Sequence, residues 1–299
     1  MSRGLAVLSL VGATALWAGN YVVGEQAVKT VDPIDLTAMR WTLSVVPLLV
    51  LAQLIEKPDW RAALRQWPLL LVLGLSGMAG YNLSLYEALR HTTAVSASLI
   101  NSVNPALITL AAAVVLREAV GWRGVLGMVL GFAGVVLVIS KGSLDALLSL
   151  DFNVGDLLML VAIVAWTIYT VLQHRAKVPP VTATAIQATG SALVMLPLAA
   201  VTGFTLPQSA SAVASVLFIG LVVSAASYVL WNLGVSALPK SLSGVFLNLI
   251  TVFTVVASIA LGTTIGLPEL VGGVIVLAGV VLTTLDRATA RRAKAPVEV

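Results

Sequence analysis

The sequence predicts an all-α membrane protein of ten transmembrane helices, built as two inverted five-helix repeats. Three observations carry this prediction. Of the 299 residues, 59% are hydrophobic and 10% charged, whereas soluble domains run roughly 45–50% apolar and about 25% charged. The apolar residues fall in ten blocks, at 4–24, 33–55, 67–88, 94–116, 122–140, 155–173, 181–202, 212–232, 241–262 and 268–285. Each is roughly 17–24 residues long, what an α-helix needs to cross about 30 Å of hydrocarbon. The third observation is an echo: Gly127–Leu137 reads GMVLGFAGVVL, and Gly272–Leu282 reads GGVIVLAGVVL.

The echo belongs to a longer repeat. Residues 86–137 and 231–282, a shift of 145, share thirteen of 52 positions, including Gly121/Gly266 and Gly127/Gly272. Earlier in the halves, Trp17 falls on Trp166 and Pro33 on Pro180 at shifts of 149 and 147. The units read as residues 1–145 and 146–290, followed by a basic cytoplasmic tail at 291–299. Because five is odd, the second copy enters from the opposite side, and a pseudo-two-fold axis lies in the membrane plane. Loop charges agree. With the N-terminus inside, thirteen of the seventeen Lys and Arg lie inside, leaving Lys29, Arg90 and Lys141 outside and Arg40 within a span. Cytoplasmic loops carry such an excess. The expected location is therefore the inner (plasma) membrane, multi-pass, with both termini cytoplasmic. The net charge of +4 is a topology signal that needs no nucleic-acid partner.

The first block could pass for a signal peptide, but its apolar run continues through Gly24 and supplies one member of the repeat, so it reads as span 1. Its polar stripe is Trp17, Asn20, Tyr21 and Gly24. Span 2 carries Arg40, seven residues or about 10 Å past Pro33. A central Arg costs about 2.5–3.5 kcal/mol on insertion scales, so Arg40 must snorkel, join a hydrogen-bond network or meet a solute carboxylate. Span 3 offers Asn82 and Tyr86. Span 4 offers Asn101 and Asn104, and Pro105 in mid-span removes the partner of the Asn101 carbonyl and should kink the helix. Span 5 has a glycine ridge from Gly121 to Gly134, which reads as close-packed scaffold. Span 6 carries Trp166, Tyr169, Thr170 and Gln173. Span 7 holds Pro197, a possible counterpart of the Pro47 kink in span 2. Span 8 repeats the span 6 spacing with Ser224, Ser227, Tyr228 and Trp231. Span 9 carries Ser241, Asn248 and Thr251, and span 10 is a second glycine scaffold.

Polar stripes inside lipid turn toward protein or a watery cavity. Interhelical hydrogen bonds and interfacial aromatic belts would account for single residues; recurrence in both halves points to a shared cavity. The candidate solute-binding residues are Trp17, Asn20, Tyr86, Asn101, Asn104, Trp166, Tyr169, Tyr228, Trp231 and Asn248, with Arg40 a structural or carboxylate contact. Zero cysteines, two histidines without metal-ligand companions, and no HExxH, GxSxG or phosphate-binding glycine loop leave no catalytic, metal or cofactor site expected. An intramembrane enzyme or a scaffold explains two inverted polar halves less well than a secondary transporter working by alternating access.

The span 2 motif AMRWTLSVVPLLV, the span 3 ending Tyr86-Glu-Ala-Leu89, NPALITL, and LREAVGWRGVLGMVLGFAGVVL with its degenerate copy resemble the EamA-domain transporters of the drug/metabolite transporter superfamily. Within it the chain looks most like the YddG-type exporters of aromatic and other amino acids. The resemblance implies a ten-helix fold and export of amino acids or related metabolites; drug and sugar or nucleotide-sugar exporters of the superfamily are the alternatives. Arg40 and Glu118 match the family's usual Arg and Glu, whereas the second half has Gln187 and Thr263 there. A small amphipathic solute and the lipid bilayer are the expected partners, and a monomer is expected to function.

Overall fold

The computed structural model describes residues 3–115, 120–145, 152–173, 175–237 and 246–294. Their regular elements are all helical. Eight helices are long and apolar enough to cross a membrane: α1 (Gly4–Ala27), α2 (Pro33–Ile55), α3 (Trp67–Ala88), α4 (Ala94–Val115), α5 (Trp122–Ile139), α6 (Val154–Gln173), α7 (Pro180–Thr202) and α8 (Ala210–Trp231). Two shorter apolar helices follow, α9 (Leu249–Ala260) and α10, whose apolar part is Leu267–Leu282. The block expected at 241–262 thus yields a described helix that begins only at Leu249. Glu118, His174 and Ser241 lie outside the described residues.

Local chemistry sets the helix starts. Pro33 and Pro180, the pair matched by the repeat, each open a helix at its first turn, where the missing N–H costs nothing. Asp32, Thr93 and Ser209 cap α2, α4 and α8 by accepting from Ile34, Ser96 and Ala212 N–H groups. α7 ends at Gly203, whose φ of 97° favours a residue without Cβ. α2 and α7 both continue helically through their prolines, Pro47 and Pro197.

The helices pack in four antiparallel pairs. In α1:α8, Gly12 faces Leu230 and Gly19 faces Phe218, so residue numbers rise along one helix as they fall along the other. In α3:α6, Gly77 meets Tyr169 and Gly80 meets Ala165. At the ends of α2:α7, Glu56 accepts from the Val181 and Thr182 N–H groups, while Asp35 accepts from Thr205. In α5:α10, Gly134 lies on Gly272 and Gly279 lies on Gly127 and Gly131. A methyl added at Gly134 would sit 2.6 Å from the Gly272 carbonyl oxygen. The repeated glycine phrase therefore builds a close backbone contact.

Large apolar side chains cover the outside, among them Leu8, Val114, Trp122 and Val201, the last 86% exposed. On a soluble protein such a surface would aggregate; against lipid it is the solvated face. The carboxylates stay at helix ends and stitch them together. Glu25 accepts from the Ala94 N–H at the start of α4, and Asp156 from the Thr92 hydroxyl.

Candidate functional site

Four irregularities bend the central helices. α4 breaks at Ser102–Val103 and resumes at Asn104 with Pro105 in its first turn, the kink that the proline predicts. Leu247–Asn248 form a matching turn before α9, displaced from Ser102–Val103 by the same 145 residues. α3 and α8 each contain a π-helical stretch, Gly74–Gly80 and Phe218–Ala226. The Ser224 hydroxyl donates to the Ile219 carbonyl, satisfying one backbone acceptor within its stretch. Such stretches recur at functional sites.

These distortions surround a cavity of about 110 Å³, room for on the order of ten waters. Its wall draws on α1 (Trp17, Asn20, Tyr21), α2 (Arg40), α3 (Gly77, Tyr81, Asn82), α4 (Asn101, Ser102, Asn104, Pro105, Ile108), α6 (Trp166), α8 (Tyr228), and Leu247, Asn248, Ile250 and Thr251 at the start of α9. No described residue of α5, α7 or α10 lines it.

Two aromatic clusters furnish this wall. Trp17 stacks edge-on against Tyr228 at 5.8 Å and tilts on Trp231 at 5.2 Å; Trp166 lies 5.2 Å from Tyr81 and 5.0 Å from Tyr169. A polar chain joins the second cluster to three helices. The Tyr21 and Tyr81 hydroxyls share a 2.7 Å bond, Tyr81 donates to Asn101, Asn104 donates to the same Asn101 oxygen, and Thr167 donates to Asn104. Rings flanked by amides suit an amphipathic solute.

At one side stands Arg40, 4% exposed. Its Nη1 donates to Asn20 Oδ1 at 2.7 Å and to Tyr86 Oη at 2.5 Å, and Tyr86 in turn donates to Asn20 at 2.8 Å. This triangle ties α1, α2 and α3 together. The guanidinium lies 5.0 Å from the Trp41 ring and 6.0 Å from the Tyr86 ring, contacts that favour a cation. It does not snorkel; it is held in place.

Of the residues picked from sequence, Trp17, Asn20, Asn101, Asn104, Trp166, Tyr228, Asn248 and Arg40 share the cavity wall. Tyr86 is fully buried behind Arg40, and Tyr169 and Trp231 support the wall tryptophans from outside it. Tyr21, Tyr81 and Asn82 join the wall in addition; Tyr21 and Asn82 lie on the polar stripes of spans 1 and 3, and Tyr81 beside one. Gly77, Ser102 and Leu247 carried no polar or aromatic signal strong enough to find them. Gly77 is where α3 and α6 approach so closely that a Cβ would overlap the Tyr169 ring. A second hollow, of about 490 Å³, is almost wholly apolar and lies among Leu49, Trp60, Trp67 and Leu193. It has no charged group to orient a polar solute.

A small cavity of rings, amides and one arginine inside an apolar, membrane-length bundle is what a multi-pass carrier of small molecules requires. The chain belongs to the EamA-like transporter family, whose model matches residues 4–140 and again 153–285. Among its relatives, an uncharacterised transporter of Archaeoglobus fulgidus is 31% identical over 90% of this chain and 93% of its own. A probable terminal-alkyne amino-acid exporter of Streptantibioticus cattleyicolor is 29% identical, covering 94% of each chain. The aromatic amino acid exporter YddG of Ancylobacter novellus is 28% identical over 60% of this chain and 62% of its own. The protein is thus a membrane transporter of the drug/metabolite transporter superfamily, and not an enzyme.

The wall position of Trp17 and Trp166 gives a test. Trp17→Ala and Trp166→Ala should each lower transport per folded molecule at least tenfold while shifting the detergent melting temperature little, with the core residue Val276→Ala as a stability control. If the rings only pack, truncation should instead cost about 3–5 kcal/mol of stability and leave transport per folded molecule normal.

Proposed function

We propose that the protein exports amino acids, aromatic ones among them, and related amphipathic metabolites across the cell membrane by alternating access. The observation that carries this reading is the cavity itself, in which tryptophan and tyrosine faces stand beside asparagine amides and one arginine. Two of the relatives named above, each called an amino-acid exporter, favour amino acids over drugs or sugars, for which similar walls would serve.

The machine for alternating access is an inverted pair of five-helix halves, residues 1–145 and 146–290, with 291–299 as a basic tail. Support comes from the equivalent helices α2 and α7, and α5 and α10, which meet each other and run antiparallel. The α1:α8 pair maps onto α6:α3 under the same exchange, and so do the turns at Ser102–Val103 and Leu247–Asn248 and the two π-helical stretches. Where α4 and α9 meet, the Ser102 and Thr251 hydroxyls lie 2.5 Å apart, and Thr251 donates to the Ser98 carbonyl. A rocking of one half against the other would pass through this contact. The proposed functional unit is a single chain.

Orientation is testable because the chain has no cysteine. Single variants Arg61→Cys and Gln208→Cys should be labelled by a membrane-impermeant thiol reagent only from the inside and only from the outside, respectively. Labelling of both from one side would remove the inverted arrangement.

No Asp or Glu lines the cavity among the described residues, so the transport cycle has no evident proton carrier. In proteoliposomes, labelled phenylalanine should enter by counterflow against preloaded unlabelled phenylalanine, with a rate that changes less than twofold under an imposed pH gradient. Accumulation driven by the pH gradient alone would contradict facilitative transport; absence of counterflow with every amino acid would contradict the substrate class.

A further inference from the structure

Arg40 makes no ion pair with any described residue. Its two acceptors are neutral oxygens, and both use Nη1. Nε is buried without a partner. A guanidinium has five N–H donors, and charges buried in proteins are ordinarily paired. A purely structural arginine at this depth would be expected to meet a carboxylate of the protein, yet this one faces a cavity.

The rest of the wall sharpens the point. Among the described residues it holds a single formal charge, that of Arg40, together with rings and amides. An ammonium group entering here would find ring faces, amide oxygens and hydroxyls such as those of Tyr81, Ser102 and Thr251, but no carboxylate among the described residues, and would meet a like charge. A carboxylate would find the one positive charge of the wall, which strengthens each hydrogen bond the guanidinium donates. Trp41 and Tyr86 flank the guanidinium and leave it little freedom to turn away.

We infer that Arg40 is the carboxylate receptor of the cavity, with Asn20 and Tyr86 as its positioning residues, so that the recognised solutes are apolar or aromatic monocarboxylates whose amino group is dispensable. This rests on the reading of the cavity as a solute site and narrows it: amino acids are bound as carboxylic acids. Charge-assisted hydrogen bonds are the strong ones, so losing the receptor should cost at least tenfold in affinity.

The test is displacement of labelled L-phenylalanine from the purified full chain in detergent. 3-Phenylpropionate should displace it within tenfold of unlabelled phenylalanine, and phenethylamine at least tenfold less well than 3-phenylpropionate. Arg40→Gln should weaken 3-phenylpropionate at least tenfold. Should Arg40→Gln fail to fold, Asn20→Asp decides. It is nearly isosteric and places a carboxylate 2.7 Å from Nη1, so it should satisfy Arg40 internally, weaken both acids at least tenfold and not lower the melting temperature. Displacement by phenethylamine as good as by the acid, or an Asn20→Asp variant that keeps its affinity for the acid, would overturn the receptor assignment while leaving an exporter of aromatic solutes standing. If wild-type protein binds none of the three compounds, both readings fall.

Discussion

An arginine buried in a membrane-spanning bundle constrains everything around it. In lipid the charge of Arg40 must be met by protein, water or solute. The fold meets part of that demand with two neutral oxygens, Asn20 from α1 and Tyr86 from α3. The Tyr86 hydroxyl closes the triangle by donating to Asn20, so three helices depend on one another at a single point. The demand left over includes an Nε buried with no acceptor, in a side chain that lines the cavity.

Around that point the molecule divides its labour. α5 and α10 press glycine against backbone, and α2 and α7 are stitched at both ends by Glu56 and Asp35. Regular helices packed this closely resist bending. Among the described residues the irregular backbone falls in α3, α4, α8 and the start of α9, all of which meet the cavity, as do the regular α1, α2 and α6. Backbone groups freed from helical pairing are tolerated in a membrane only where protein or a cavity receives them.

The helices were legible because lipid imposes length and apolarity on each of them, and most wall residues were legible as polar stripes on apolar helices. Pro105 announced the break in α4 through a missing N–H. Nothing comparable marks the turn at Leu247–Asn248, which the repeat alone matches to Ser102–Val103. The π-helical stretches carry no residue signature, since an i→i+5 bond arises from packing rather than from a side chain. Tyr86 shows a different limit. It lies one turn beyond Asn82 on the same stripe, but Arg40 stands between it and the cavity, and periodicity tells which face is turned inward without telling which side chain reaches the wall. The substrate was the least legible feature, because rings and amides are shared by carriers of many amphipathic solutes.

The account turns on how a solute lies between the arginine and the tryptophans. A crystal structure with 4-bromophenylalanine, using the anomalous signal of bromine, measures this directly. The account expects bromine beside Trp17, Trp166 and Tyr228, with the carboxylate on Arg40. Bromine against Arg40, or in the apolar hollow between Trp60 and Leu193, would contradict it.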